Sequence, residues 1–253
     1  MLPVNVEYHK FFSPRVGRDM ECKVYGHDGK PVIVFPSSGG RFYEYEDFRM
    51  VEACASFLER GIVRFYAVDS IDRETWLDAW KSPSDRAQRH NDYDGYIVEE
   101  FVPFVRHHSG CGSGFLATGC SMGGYHSANF FFRHPDVFDS VIALSGIYDA
   151  RFFVGEALDS FEVYANSPVD YLAGMEDNWF LERYRNGRII ICTGQGAWEE
   201  DSIRHTRLLE KVLGQKSIPA WVDYWGYDVD HDWPWWRVQM PYFLQELNRQ
   251  GSI

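Results

Sequence analysis

Five short, almost unbroken apolar runs, four of them followed by a stretch with helical spacing, constrain this chain more than any other feature. They are Pro31–Phe35 in "PVIVFPSSGG", "IVRFYAVDS" (62–70), "GFLATG" (114–119), "DSVIALSG" (139–146) and "GRIIICTG" (187–194). Strands that are apolar on both faces and separated by helices must run mostly parallel, because parallel neighbours need crossover connections and those crossovers cover both faces of the sheet. Two further strands, "VNVEYHKFF" (4–12) and "MECKVYGH" (20–27), are joined by the short turn "SPRVGRD" and suit an antiparallel edge, and "IPAWVDYWG" (218–226) supplies an eighth.

Helical spacing is expected over 44–61, ending at Gly61, over 84–108 with Pro103 as a kink, from Met122, over 201–214 and over 233–250. No period, low-complexity tract or charged block marks a linker. At 253 residues and 45% apolar, the chain is read as a single domain over 1–253. The layout is that of an α/β-hydrolase fold: a mostly parallel central sheet of about eight strands with helices on both faces. In such sheets chemistry sits beyond the carboxyl ends of the strands.

Composition removes several classes. A formal charge of −12, from 37 acidic and 25 basic residues, argues against nucleic acid or an anionic membrane as the main partner. No run has the length of a signal peptide or a membrane span, so a soluble, cytoplasmic chain without membrane insertion is expected. The five cysteines are scattered and lack CxxC or Cys/His ligand spacing, so free thiols and no metal site are expected. Neither GxGxxG nor GxxxxGK[ST] occurs, and no cofactor is expected. Aromatics reach 17%, with nine Trp, a surplus of the kind that lines ligand clefts or covers a homo-oligomer contact, although most are read as core.

Gly119-Cys120-Ser121-Met122-Gly123 is a GxSxG turn between a strand and a helix. Such a turn strains the serine backbone and leaves no room for side chains at the flanking positions, and in return it exposes the serine Oγ at a helix N-terminus. The amide of Met122 then points to where an oxyanion forms. A serine nucleophile needs a base and an orienting acid, in the chain order Ser, acid, His for this fold. Of nine histidines, five precede Ser121, His126 and His134 follow it on the same helix, and His205 lies on a helix face. His231, in the loop "YDVDHDWPWW", is the candidate base. For the acid, "TGQGAWEEDS" offers Glu199, Glu200 and Asp201, and Asp149 is a rival at the end of the preceding strand. Asp228, Asp230 and Asp232 lie too close to His231 in sequence to orient it.

With "GCSMGG" and "HDWPWW" in view, the chain resembles the putative-esterase branch of the α/β-hydrolases, which includes esterase D (S-formylglutathione hydrolase), feruloyl esterases and mycolyltransferases. That branch carries a GxSMGG turn and an HxWxxW histidine loop, matched here by His231, Trp233 and Trp236. Its QGxxD acid motif is matched by Gln195 to Glu199 with Glu in place of Asp, so the resemblance implies Glu199. It also implies a second oxyanion donor after the third strand, where "Pro36-Ser37-Ser38" replaces His-Gly-Leu, giving Ser38. The function implied is a serine carboxylesterase acting on a small-molecule ester through an acyl-serine intermediate. An acyltransferase using the same residues, and a binding protein retaining the fold, are the alternatives. The aromatics Phe42, Tyr43, Tyr45, Trp76, Trp80 and Trp198 are candidates for an acyl pocket, with core packing as the competing role.

Overall fold

The apolar runs become the middle of one eight-stranded sheet. In the computed structural model, which describes residues 4–112, 114–155 and 160–253, the strands are β1 (Val6–Ser13), β2 (Arg18–Tyr25), β3 (Lys30–Phe35), β4 (Val63–Val68), β5 (Phe115–Cys120), β6 (Phe138–Leu144), β7 (Arg188–Thr193) and β8 (Trp221–Tyr224). Their spatial order is β1-β2-β4-β3-β5-β6-β7-β8. The β1–β2 and β2–β4 pairs are antiparallel, and every other pair is parallel. Burial follows position: β5, in the interior of the sheet, is buried at every residue, whereas edge strand β1 alternates between exposed and half-buried.

Alternate strand residues feed two cores. Ile33, Phe35, Phe115 and Ala117 face one side, packed under α4 (Pro83–Tyr96), α5 (Val102–Ser109), α6 (Met122–Arg133) and α11 (Glu200–Gln215). Val32, Val34, Leu116 and Ile142 face the other side, under α2 (Met50–Ala53), α3 (Ala55–Glu59) and α12 (Trp233–Arg249). Helices therefore cover both faces of the sheet.

Two stretches differ from their periodicity. The single helix expected over 44–61 is three short ones, α1 (Glu44–Asp47), α2 and α3, with Arg49 left-handed at φ 61° between the first two. The break has a tertiary cause: Phe48 stacks on Trp233, ring centroids 4.6 Å apart, and its carbonyl accepts from Arg237 of α12 at 2.9 Å. The helix over 84–108 runs through Pro103 by way of one wide π turn, Ile97–Phe101. That turn leaves Pro103 in the first turn of α5, where its missing N–H is not needed. Among the described residues between β6 and β7 lie four short helices that the apolar spacing does not announce: α7 (Arg151–Val154), α8 (Phe161–Tyr164), α9 (Pro168–Ala173) and α10 (Asn178–Asn186).

Candidate active site

Ser121 sits at φ 57°, ψ −118°, a conformation that L side chains rarely adopt, between β5 and α6. The flanking glycines explain how so sharp a turn fits. A Cβ on Gly119 would lie 2.5 Å from the Gly123 backbone, and one on Gly123 would lie 2.3 Å from the Phe35 carbonyl. The Ser121 amide donates to the Leu144 carbonyl at 2.8 Å, tying the turn to β6. The amide of Met122 is the first of α6, one of the four that a helix leaves without an internal acceptor.

His231 arrives from the loop between β8 and α12, and Glu199 from the loop after β7. Ser121 Oγ lies 2.9 Å from His231 Nε2, and His231 Nδ1 lies 3.0 Å from Glu199 Oε2. A carboxylate only accepts, so Nδ1–H donates to Glu199 and Nε2 is left to accept from the serine hydroxyl. The two loops are laced together: Gly196 N donates to Val229 O at 2.9 Å, His231 N to Ala197 O at 2.9 Å, and Ala197 N to Asp230 at 2.7 Å. The glycines of "TGQG" permit this approach, since a Cβ on Gly194 would lie 2.1 Å from the Val229 carbonyl.

Glu199 is fully buried, and an unpaired carboxylate there would be costly. It is instead saturated. Ser145 Oγ donates to Oε1 at 2.5 Å, Gly194 N to Oε1 at 3.2 Å, and Thr193 Oγ1 to Oε2 at 3.1 Å, beside the His231 bond. Burial pushes the Glu199 carboxyl up, but the bonds from His231, Ser145 and Gly194 outweigh it and hold it below the ordinary range. Ser145 in turn accepts from Trp236 Nε1 at 3.0 Å. Ser145 and Thr193 lie outside the residues singled out from sequence. Their one signal was a hydroxyl or glycine closing an apolar strand.

The rival acids stand elsewhere. Asp149 pairs with Arg151 at 2.7 Å, Asp201 with Arg204 at 2.8 Å, Glu200 is exposed in the first turn of α11, and Asp232 caps α12 through the Trp233 amide. Among the other histidines, His126 is fully buried against Asp72, His134 pairs with Asp94, and His205 accepts from the amides of Tyr148 and Asp149.

Ser38 is exposed in a turn over Ser37–Gly40, closed by a 2.9 Å bond from Gly40 N to Ser37 O. A cleft of about 520 Å³ opens beside this turn, lined among others by Arg18, Gly39, Arg41, Asp69, Asp72 and Arg73. It is mostly charged, and of the aromatics considered from sequence Tyr43 lines it. Phe42, Tyr45 and Trp76 are buried in the cores, where Tyr45 meets Trp233 edge-on, while Trp80 and Trp198 stand in solvent.

One group among the described residues, Glu7, His9 and His108, brings metal-ligand atoms within 4.8 Å of one another. It lies on β1 and α5, and its carboxylate oxygens are already taken by Arg64 at 3.1 Å and His108 at 2.9 Å. No helix among the described residues is long and apolar enough to cross a membrane.

No curated protein sequence matches the chain significantly. Among solved structures, a ferulic acid esterase superposes with a TM-score of 0.74 at 16% identity, over 98% of this chain and 99% of its own. Fluorophosphonate-binding serine hydrolase F of Staphylococcus aureus follows with 0.72 at 17%, over 97% and 98% of the two chains. The S-formylglutathione hydrolase of Agrobacterium tumefaciens gives 0.72 at 14%, over 99% and 98%. These similarities show a shared α/β-hydrolase fold. The family model described as "Putative esterase" matches residues 13–247, and the chain therefore belongs to that family of ester-hydrolysing enzymes.

Proposed function

We propose that this protein is a serine carboxylesterase, formed as one domain, that works through an acyl-enzyme on Ser121. The observation that carries the reading is the unbroken series Ser121 Oγ to His231 Nε2 at 2.9 Å and His231 Nδ1 to Glu199 at 3.0 Å. Ser121 Oγ attacks the ester carbonyl while His231 Nε2 takes its proton. The negative oxygen of the tetrahedral intermediate accepts from the amides of Met122 and Ser38. Nε2–H then protonates the leaving alkoxide, which departs as the alcohol. Water, deprotonated by His231, attacks the acyl-serine, and collapse releases the carboxylic acid and restores Ser121. Glu199 stays ionised throughout, fixing the imidazole tautomer and balancing the imidazolium charge.

Burst and steady-state hydrolysis of short-chain p-nitrophenyl esters by wild type, Ser121→Ala and His231→Ala tests this. Turnover by wild type, with both variants near background and a fluorophosphonate attached to Ser121 alone, is the expected result. Wild-type rates in Ser121→Ala would refute it. Adding a primary alcohol to the same assay separates hydrolysis from acyl transfer by product.

A further inference from the structure

The Ser37–Gly40 turn follows β3 and carries four backbone amides, of which three are committed. Ser37 N donates to Glu44 Oε2 at 2.7 Å, and Ser37 Oγ donates to the other oxygen of the same carboxylate at 2.6 Å. Gly39 N donates to Asp72 Oδ2 at 3.2 Å, and Gly40 N closes the turn on Ser37 O. Only the Ser38 amide, between the two that carboxylates hold, has no acceptor among the described residues. The turn is thus gripped on both sides of one free N–H.

Both carboxylates are buried, Glu44 at 8% exposure and Asp72 at 2%. Buried acids are retained only where their partners compensate the loss of water. Asp72 also accepts from Nε2 of fully buried His126 at 2.9 Å. His126 belongs to α6, the helix whose first amide is that of Met122. A stacked neighbour, His90, lies 5.4 Å from it, centroid to centroid. Glu44 fits because Gly40 lacks a side chain, a Cβ there meeting Glu44 Oε1 at 2.4 Å.

We propose that Glu44 and Asp72 are positioning residues that orient the Ser38 amide toward the reacting carbonyl, with His126 linking Asp72 to the helix that presents the Met122 amide. Both act through the amides they hold, those of Ser37 and Gly39. The inference rests on Ser121 being the nucleophile. It adds a pair of acids, from two different loops, whose task is to deny the turn its alternative conformations, so that the donor is in place before charge develops.

The test is kinetic first. Asp72→Ala and Glu44→Ala are expected to lower kcat by about 10²- to 10³-fold with KM within about threefold, the signature of a donor used in the transition state. Asp72→Asn and Glu44→Gln keep an acceptor oxygen for the same amides and are expected to recover to within about tenfold of wild type. Folded Ala variants with wild-type kcat overturn the proposal, while activity surviving in Ser121→Ala overturns the reading beneath it. Amide exchange on the unmodified protein decides the matter where an Ala variant does not fold. Ser37 and Gly39 should be protected and Ser38 fast, with Ser38 the one amide of this turn that gains protection in the fluorophosphonate adduct. Protection of Ser38 before labelling, or none after it, overturns the proposal.

Discussion

Ser145 Oγ lies 2.5 Å from Oε1 of Glu199, joining the end of β6 to the loop after β7 across the sheet. Ser145 is itself left-handed, at φ 52°, and its amide donates to the Cys192 carbonyl at 2.7 Å, so its side chain is aimed by the backbone. Trp236 Nε1 completes the chain from α12. Three elements thus converge on one carboxylate.

Replacing Ser145 by Ala removes a donor from Glu199 and strands the buried Trp236 N–H. We expect kcat/KM to fall about tenfold, the worth of one positioning hydrogen bond near 1.4 kcal/mol. Stability should drop by about 1–3 kcal/mol for the unpaired indole. Ester hydrolysis and urea unfolding on the same preparation check both, and unchanged values in each would remove Ser145 from the site.

Glu199→Gln preserves shape but lets the amide present its NH₂ to His231 Nδ1, favouring the tautomer that carries the proton on Nε2. A fall of about 10⁴-fold in kcat is expected. The Nδ1 proton resonance in wild type, and its disappearance in the variant, gives a readout independent of turnover.

Two glycine substitutions should move in opposite directions. Gly123→Ala places a Cβ 2.3 Å from the Phe35 carbonyl, backbone that cannot yield, and should cost about 3 kcal/mol or more. Gly214→Ala in α11 meets nothing within 4 Å and should stabilise by about 1 kcal/mol, raising Tm by about 2–4 °C. Thermal unfolding of both variants tests the close-approach argument directly.

Stability should decline in mild acid. Burial pushes His205 down to about 4 from the ordinary 6.5, and burial holds His90 well below its ordinary value too. A base depressed in the folded state is protonated more readily in the unfolded chain. Its contribution is therefore whole above pH 6.5 and is lost as pH falls through that value toward 4 for His205. The His205 share is about 3 kcal/mol. Urea midpoints at pH 7.5, 6 and 5 should fall, and His205→Gln, which keeps an acceptor for the Tyr148 and Asp149 amides, should flatten the decline. An unchanged slope in that variant would assign the effect elsewhere.

The five inner strands, β3 to β7, were legible because residues buried on both faces must be apolar throughout, and no helix at the surface reads that way. The three helices over 44–61 were not, because the break depends on Phe48 meeting Trp233 and Arg237, almost two hundred positions away. Helices α7 to α10 span four to nine residues each, too few turns for a period to register. Ser121, His231 and Glu199 were candidates through local motifs, whereas Ser145, Glu44 and Asp72 carry no motif. Their significance lies in partners from other loops, which spacing along the chain does not encode.

Strands β3 and β5 are neighbours, with Phe35 paired to Gly119 near the ends that lead into the Ser37–Gly40 turn and the Ser121 turn. A slip of one residue in that ladder would carry one turn about 3.3 Å past the other and rotate its side chains to the opposite face. The ladder therefore serves as a ruler, graduated in residues and read by two separate cores. Surface loops can drift in length and composition around such a gauge while the distance between the two turns stays put.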